Sequence, residues 1–300
     1  MVRLRGTLTA VVTPFQRDGS IDWDSFQRLV EFQIRSGVEG LVPIGSTGEG
    51  ATLDFGEKVE VIARVVEWVG KRVPVIVGTG TNDTRTTIAL TREAQRLGAD
   101  AALVVCPYYN KPTQQGLYAH FQAIAEAVEL PLVLYNVPSR TAVNMTAETQ
   151  LRLAEDFPFI IATKEASGNL EQVMELIAAA PEHFSVLAGD DALALPIIAC
   201  GGVGVVSVIS NYAPQQFGDC IRAALNGEWE RARRLHYALF PLMQLNFVES
   251  NPIPVKAALA MLGMVEEAYR LPLTPLQSRH REMLERALRG IGLLQTAARA

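Results

Sequence analysis

Eight short runs of β-branched and small apolar residues recur along this chain: residues 7–13, 40–45, 74–80, 101–107, 131–137, 159–166, 184–189 and 202–208. Runs this apolar are covered on both faces, which suits parallel strands joined by right-handed crossovers. The intervening stretches carry helical spacing, for example Trp23 to Ser36, Phe55 to Gly70 and Thr84 to Gly98, and several are closed by glycine. Eight consecutive strand–helix units favour a closed barrel over an open sheet. After about residue 225 the strand rhythm stops and only helical patterns follow. The expected architecture is therefore α/β, a (β/α)₈ TIM barrel over residues 1–225 with a C-terminal helical extension over 226–300.

The charge balance narrows the partners. With 27 basic against 32 acidic residues and no basic cluster, the chain lacks what a phosphate backbone requires, so nucleic acid is excluded as a partner. No uninterrupted apolar segment approaches the roughly 18 residues that suggest a membrane span. The opening MVRLRGTLTAVVTPF is broken by Thr7, Thr9, Thr13 and Pro14 and is expected to be a first strand rather than a targeting peptide. Cys106, Cys200 and Cys220 are odd in number and widely spaced, which predicts reduced thiols in a cytoplasmic protein.

Barrel enzymes carry their chemistry at the C-terminal ends of the strands. Here those ends hold Ser46 and Thr47 after the second run, Tyr108 and Tyr109 after the fourth, Tyr135 and Arg140 at and after the fifth, and Lys164 in the sixth. The alternation of Ile160, Ala162 and Lys164 predicts that all three share one side of the strand, placing the lysine inside the barrel. An amine withdrawn from water is a competent nucleophile towards ketones. A strand-end lysine equally reaches back to solvent or pairs with a carboxylate, and strand position alone leaves both open. The hydroxyls of Ser46, Tyr109 and Tyr135 are suited to passing protons, although each tyrosine taken singly also fits a core or interface aromatic.

Carbon–carbon chemistry beside a carbonyl needs an electron sink, either a metal ion or a lysine iminium. His120, His183, His236 and His280 are scattered and fall in no metal-ligand motif, and no dinucleotide fingerprint follows the first strand. The expectation is an enzyme without metal or organic cofactor. Asp190 and Asp191 are expected to cap the helix that follows the seventh strand.

Six motifs in order, GSTGE (45–49), PYYNKP (107–112), YNVPSRT (135–141), KEASGN (164–169), GDD (189–191) and NPIPVK (251–256), resemble the 4-hydroxy-tetrahydrodipicolinate (dihydrodipicolinate) synthase family from about Gly6 to Pro275. The resemblance implies that Lys164 forms a Schiff base with pyruvate and that Tyr135 moves protons beside it. Ser46 and Tyr109, the latter from a neighbouring subunit, would complete the proton relay. Thr47 would bind the pyruvate carboxylate, with the backbone of Val206 lining the same pocket. Arg140 would receive the carboxylate of L-aspartate 4-semialdehyde, and the assembly would be a homotetramer of paired dimers.

Ser46 stands where such synthases often have threonine, and sister lyases acting on N-acetylneuraminate or 2-keto-3-deoxy sugar acids share the lysine and the tyrosine. Arg140 favours the short carboxylated aldehyde, since guanidinium matches carboxylate bidentately. A non-catalytic barrel is the contrasting alternative. Some members are inhibited by lysine at an interface site. Asn82 and Tyr108 match that site, but Phe55 and Lys58 stand at its histidine positions and Thr86 at its glutamate, so little or no inhibition by millimolar L-lysine is expected.

Overall fold

The structure, a computed structural model, describes residues 2–295; Met1 and positions 296–300 of the expected extension lie outside the described residues. The eight strands are β1 (Gly6–Thr9), β2 (Gly40–Leu41), β3 (Ile76–Gly78), β4 (Ala101–Val105), β5 (Leu132–Asn136), β6 (Ile160–Glu165), β7 (Ser185–Ala188) and β8 (Gly204–Ser207). Each lies in its expected run, except that β1 begins one residue early at Gly6. All named pairs are parallel, in the order β2-β1-β8-β7-β6-β5-β4-β3. A parallel bridge between Leu41 and Val75 joins the two ends, so the sheet closes into the expected barrel.

Strand alternation divides the core in two. Leu8, Val42, Ile76, Leu103, Val133 and Leu187 fill the barrel, and a second, larger cluster lies between the strands and the surrounding helices. Each such aliphatic side chain contributes about 1.5–3 kcal/mol on burial. Short polar residues start the outer helices at the strands' C-terminal face. Asp54 forms a capping box with Glu57, while Asp83, Thr113, Thr146 and Asn169 each accept a backbone N–H of the first turn. Gly70 ends the helix Phe55–Val69 in the left-handed conformation, at φ 54°.

Beyond the barrel helix Pro214–Leu225 come helices Trp229–Leu245, Ile253–Met261 and Ser278–Gly290, and among the described residues no strand follows β8. Every residue from Ile253 to Leu259 is buried, Lys256 included. This segment therefore lies on the barrel and reaches the mouth from which the chemistry is expected. Among the described residues no helix is long and apolar enough to cross a membrane.

Candidate active site

Tyr135 on β5 and Lys164 on β6 are direct register partners, and Leu187 of β7 is the next partner along. Lys164 is 5% exposed, with its Nζ 4.2 Å from the centroid of the Tyr135 ring. Among the described residues no carboxylate pairs with it. The inward placement agrees with expectation, but one of its premises fails. The pairing between β5 and β6 slips at Leu132/Val133, so Ile160 packs in the outer cluster while Ile161 and Ala162 both sit inside. This bulge breaks the simple alternation before Lys164 and restores it at Ala162. Gly189, after β7, leaves room for the lysine stem: a Cβ there would lie 2.6 Å from the Ala166 Cβ and 3.2 Å from the Lys164 Cε.

The loop after β2 carries Ser46 and Thr47 on contorted backbone. Ile44 and Glu49, neither of them glycine, take φ of 62° and 52°. Gly50 passes so close to Ile44 that a Cβ there would meet its carbonyl oxygen at 2.4 Å. Thr47 is buried, and its Oγ1 accepts a 2.8 Å hydrogen bond from Asn251 Nδ2. Ser46 is half-buried and faces the chamber.

The chamber has two lobes that share Ser46, Tyr135, Val137 and Arg140. One, of about 390 Å³, is also lined by Thr47, Lys164 and Asn251; the other, of about 340 Å³, runs past Tyr108 to Lys58. Arg140 is exposed at the mouth, on the short helix Pro138–Thr141, and its Nη2 donates to the Asn251 carbonyl at 3.3 Å. Val206 packs inside the barrel opposite Leu8, and of β8 and its exit it is Val208 that lines the chamber.

Tyr109 is not brought to this chamber. It is 88% exposed, at φ 73°. Around the expected effector cleft, Lys58 is half-buried and burial lowers its ammonium's affinity for a proton. Thr86 is turned to Asp83, whose carboxylate accepts both its N–H and its hydroxyl.

Asp190 and Asp191 behave differently from expectation. The helix Ala194–Ala199 has no side-chain cap. Among the described residues Asp190 accepts only from Ala192 N–H, a local turn contact. Asp191 is fully buried and accepts the N–H groups of Val208 and Ile209, tying the exit of β8 to that of β7. Burial pushes its carboxyl up to about 6 against the pull of those bonds.

Three further residues escaped the sequence reading. Glu165 is 1% exposed on the strand face opposite Lys164, and accepts from Asn136, Gln150, Gln172 and Ser167 N–H. Its charge reaches Cys106, whose thiol is pushed up to about 12 by burial first and Glu165 second. Asn251 and Lys256 lie in the NPIPVK motif, and a lysine in so apolar a helix as IPVKAALAM was the available signal. Cys106 and Cys220 are buried free thiols, and Cys200 is half-buried and free. Among the described residues no three His, Cys, Asp or Glu side chains gather as a metal site.

Residues 3–291 match the model of the dihydrodipicolinate synthetase family. The 4-hydroxy-tetrahydrodipicolinate synthase of Koribacter versatilis is 53% identical over 99% of this chain and 99% of its own. The dihydrodipicolinate synthase of Aquifex aeolicus superposes with a TM-score of 0.95 at 43% identity, covering 97% of this chain and 99% of that one. A monomeric dihydrodipicolinate synthase variant superposes equally well, with a TM-score of 0.95 at 43% identity over 97% and 98% of the two chains. Agreement over nearly the whole length embraces the barrel, its mouth and the helical extension together, and the chain belongs to the dihydrodipicolinate synthetase family.

Proposed function

We propose that this chain performs its family's reaction through Lys164. The enzyme is a lyase with 4-hydroxy-tetrahydrodipicolinate synthase activity, condensing pyruvate with L-aspartate 4-semialdehyde in lysine and diaminopimelate biosynthesis. The observation that carries the site assignment is a buried, carboxylate-free lysine against the Tyr135 ring at the floor of an open chamber. Its Nζ adds to the pyruvate ketone, and loss of water leaves an iminium that withdraws electrons from the neighbouring methyl. Removal of a methyl proton gives the enamine, whose carbon attacks the aldehyde. Tyr135 moves protons at the lysine, and Ser46 passes them onward. Thr47 holds the pyruvate carboxylate, and Arg140 receives the aldehyde's carboxylate at the mouth.

Tyr109 serves the chamber of a second copy. An aromatic held out at positive φ and away from its own chamber suits that role, and it favours a homo-oligomer, in our reading a tetramer of paired dimers. The monomeric relative makes sedimentation of this protein the relevant measurement. The same reading places the protein in the cytoplasm, where free thiols stay reduced.

Borohydride reduction in the presence of pyruvate, followed by mass spectrometry, tests the assignment. The adduct is expected on Lys164, absent from Lys164→Ala and retained in Arg140→Ala. For the last variant the specificity constant with the semialdehyde falls about 30- to 1000-fold. An unmodified Lys164 in the wild type would overturn the Schiff-base assignment.

A further inference from the structure

We infer that Lys256 is a positioning residue for this reaction: acting through Glu49, it holds the loop after β2, and with it Ser46 and Thr47, in working geometry. The inference rests on the proposed roles of those two hydroxyl residues. Lys256 has no exposed surface, and its Nζ donates to Glu49 Oε1 at 2.5 Å. Both side chains are essentially dry, at 0% and 1% exposure. The ammonium lies 4.2 Å from the Phe15 ring centroid and 5.4 Å from that of Tyr269, which completes its enclosure.

A buried ion pair of this kind stabilises a fold weakly, because desolvation offsets most of the attraction, but it fixes geometry strongly. The geometry it fixes here needs fixing. Glu49 sits at φ 52°, a region that a glutamate occupies only when its surroundings impose it. Two other residues of the same C-terminal segment grip the loop on either side. Asn251 donates to Thr47 Oγ1, and Arg270 Nη1 donates to the Thr52 carbonyl at 2.9 Å. The helical extension is thus a clamp on the loop, with Lys256 as its charged jaw. Burial lowers the lysine's proton affinity, with Glu49 opposing that shift.

The test compares Lys256→Met with the double variant Glu49→Gln/Lys256→Met, measuring Tm, kcat and both KM values, with the wild type trapped by pyruvate and borohydride alongside. In Lys256→Met, Tm falls because a carboxylate is left buried without its partner. In the double variant Tm recovers, since neither charge remains. The kinetics do not recover with it: in both variants kcat stays about tenfold or more below wild type and the pyruvate KM rises several-fold, while the aldehyde KM stays within about twofold because Arg140 is held by the Asn251 carbonyl and not by the Glu49–Lys256 pair. Kinetics that return with Tm, or pyruvate and aldehyde KM values that both stay put, would reduce Lys256 to a stabilising residue and overturn the inference. If Lys256→Met does not fold, the double variant alone decides. A wild type that forms no adduct on Lys164 removes the site reading and this inference with it, whereas an adduct with unaltered variant kinetics removes this inference only.

Discussion

Glu165 and Glu49 are both buried beside residues assigned to the chemistry, yet opposite means keep them there. Glu165, behind Lys164, is met by three side-chain amides and one backbone N–H. Glu49, behind the loop of Ser46 and Thr47, is met by the ammonium of Lys256 and, at 3.4 Å, by Arg270 N–H. The first carboxylate is shared among four neutral donors from β5, two helices and the turn after β6, so no single partner defines it. The second depends on one cation, supplied by the extension. Distributed neutral donors weld neighbouring elements of the barrel, whereas a single charge links two parts of the molecule far apart in the chain.

Removing each carboxylate should therefore cost different amounts and respond to different rescues. Glu165→Leu is the most damaging substitution expected, because it strands several buried donors at about 1–3 kcal/mol each, for a total of roughly 4–6 kcal/mol in urea unfolding. Deleting any one donor should not restore it. If Gln150→Leu or Gln172→Leu did so, the distributed picture would be wrong.

Glu49→Gln leaves Lys256 buried without its counter-charge and should cost about 3 kcal/mol at pH 7. Its deficit is pH-dependent with a definite sign. Burial already depresses the lysine's proton affinity below the ordinary value of 10.5, and the variant loses the opposing pull of Glu49. The unfolded chain then binds more protons than the folded one, so stability relative to wild type rises as pH climbs towards 10.5. Unfolding midpoints at pH 7 and pH 9 read this directly, and a constant deficit would show that the ammonium is not isolated.

A third buried carboxylate, Asp191, sharpens the contrast because it has no cation beside it: it accepts from the Val208 and Ile209 N–H groups, the Ser207 hydroxyl assists, and its charged neighbour Asp190 is of like sign. Its carboxyl is raised from 3.8 to about 6, so between those values the folded state binds more protons than the unfolded state. Stability therefore falls as pH rises through that window, by roughly 2–3 kcal/mol. Asp191→Asn keeps an acceptor for Val208 and Ile209 and should flatten this slope. Parallel pH–stability curves for variant and wild type from pH 4 to 6 would count against it.

Local periodicity made the barrel legible. The β-branched runs, the glycine stops and the polar caps each act within a few residues, which is why all eight strands lie within a residue of where the pattern puts them. Lys164 was legible for the same reason, though the alternation at Ile160 misled because a bulge adds a residue on one strand without any mark in composition. Asp191 was misread because a carboxylate before a helix looks like a cap whether or not its N–H partners come from that helix. Here they come from the end of β8, 17 and 18 residues on.

The sequence by itself determined the strand and helix order, the lysine singled out in the sixth strand and the family to which its motifs belong, since these depend on spacing along a single segment. Only the tertiary structure decided that Lys256 meets Glu49 across 207 residues and that Asn251 meets Thr47 across 204. Charge and hydrogen bonding act through space, and until the barrel closes and the extension folds over its mouth, nothing along the chain says which buried charge lies beside which.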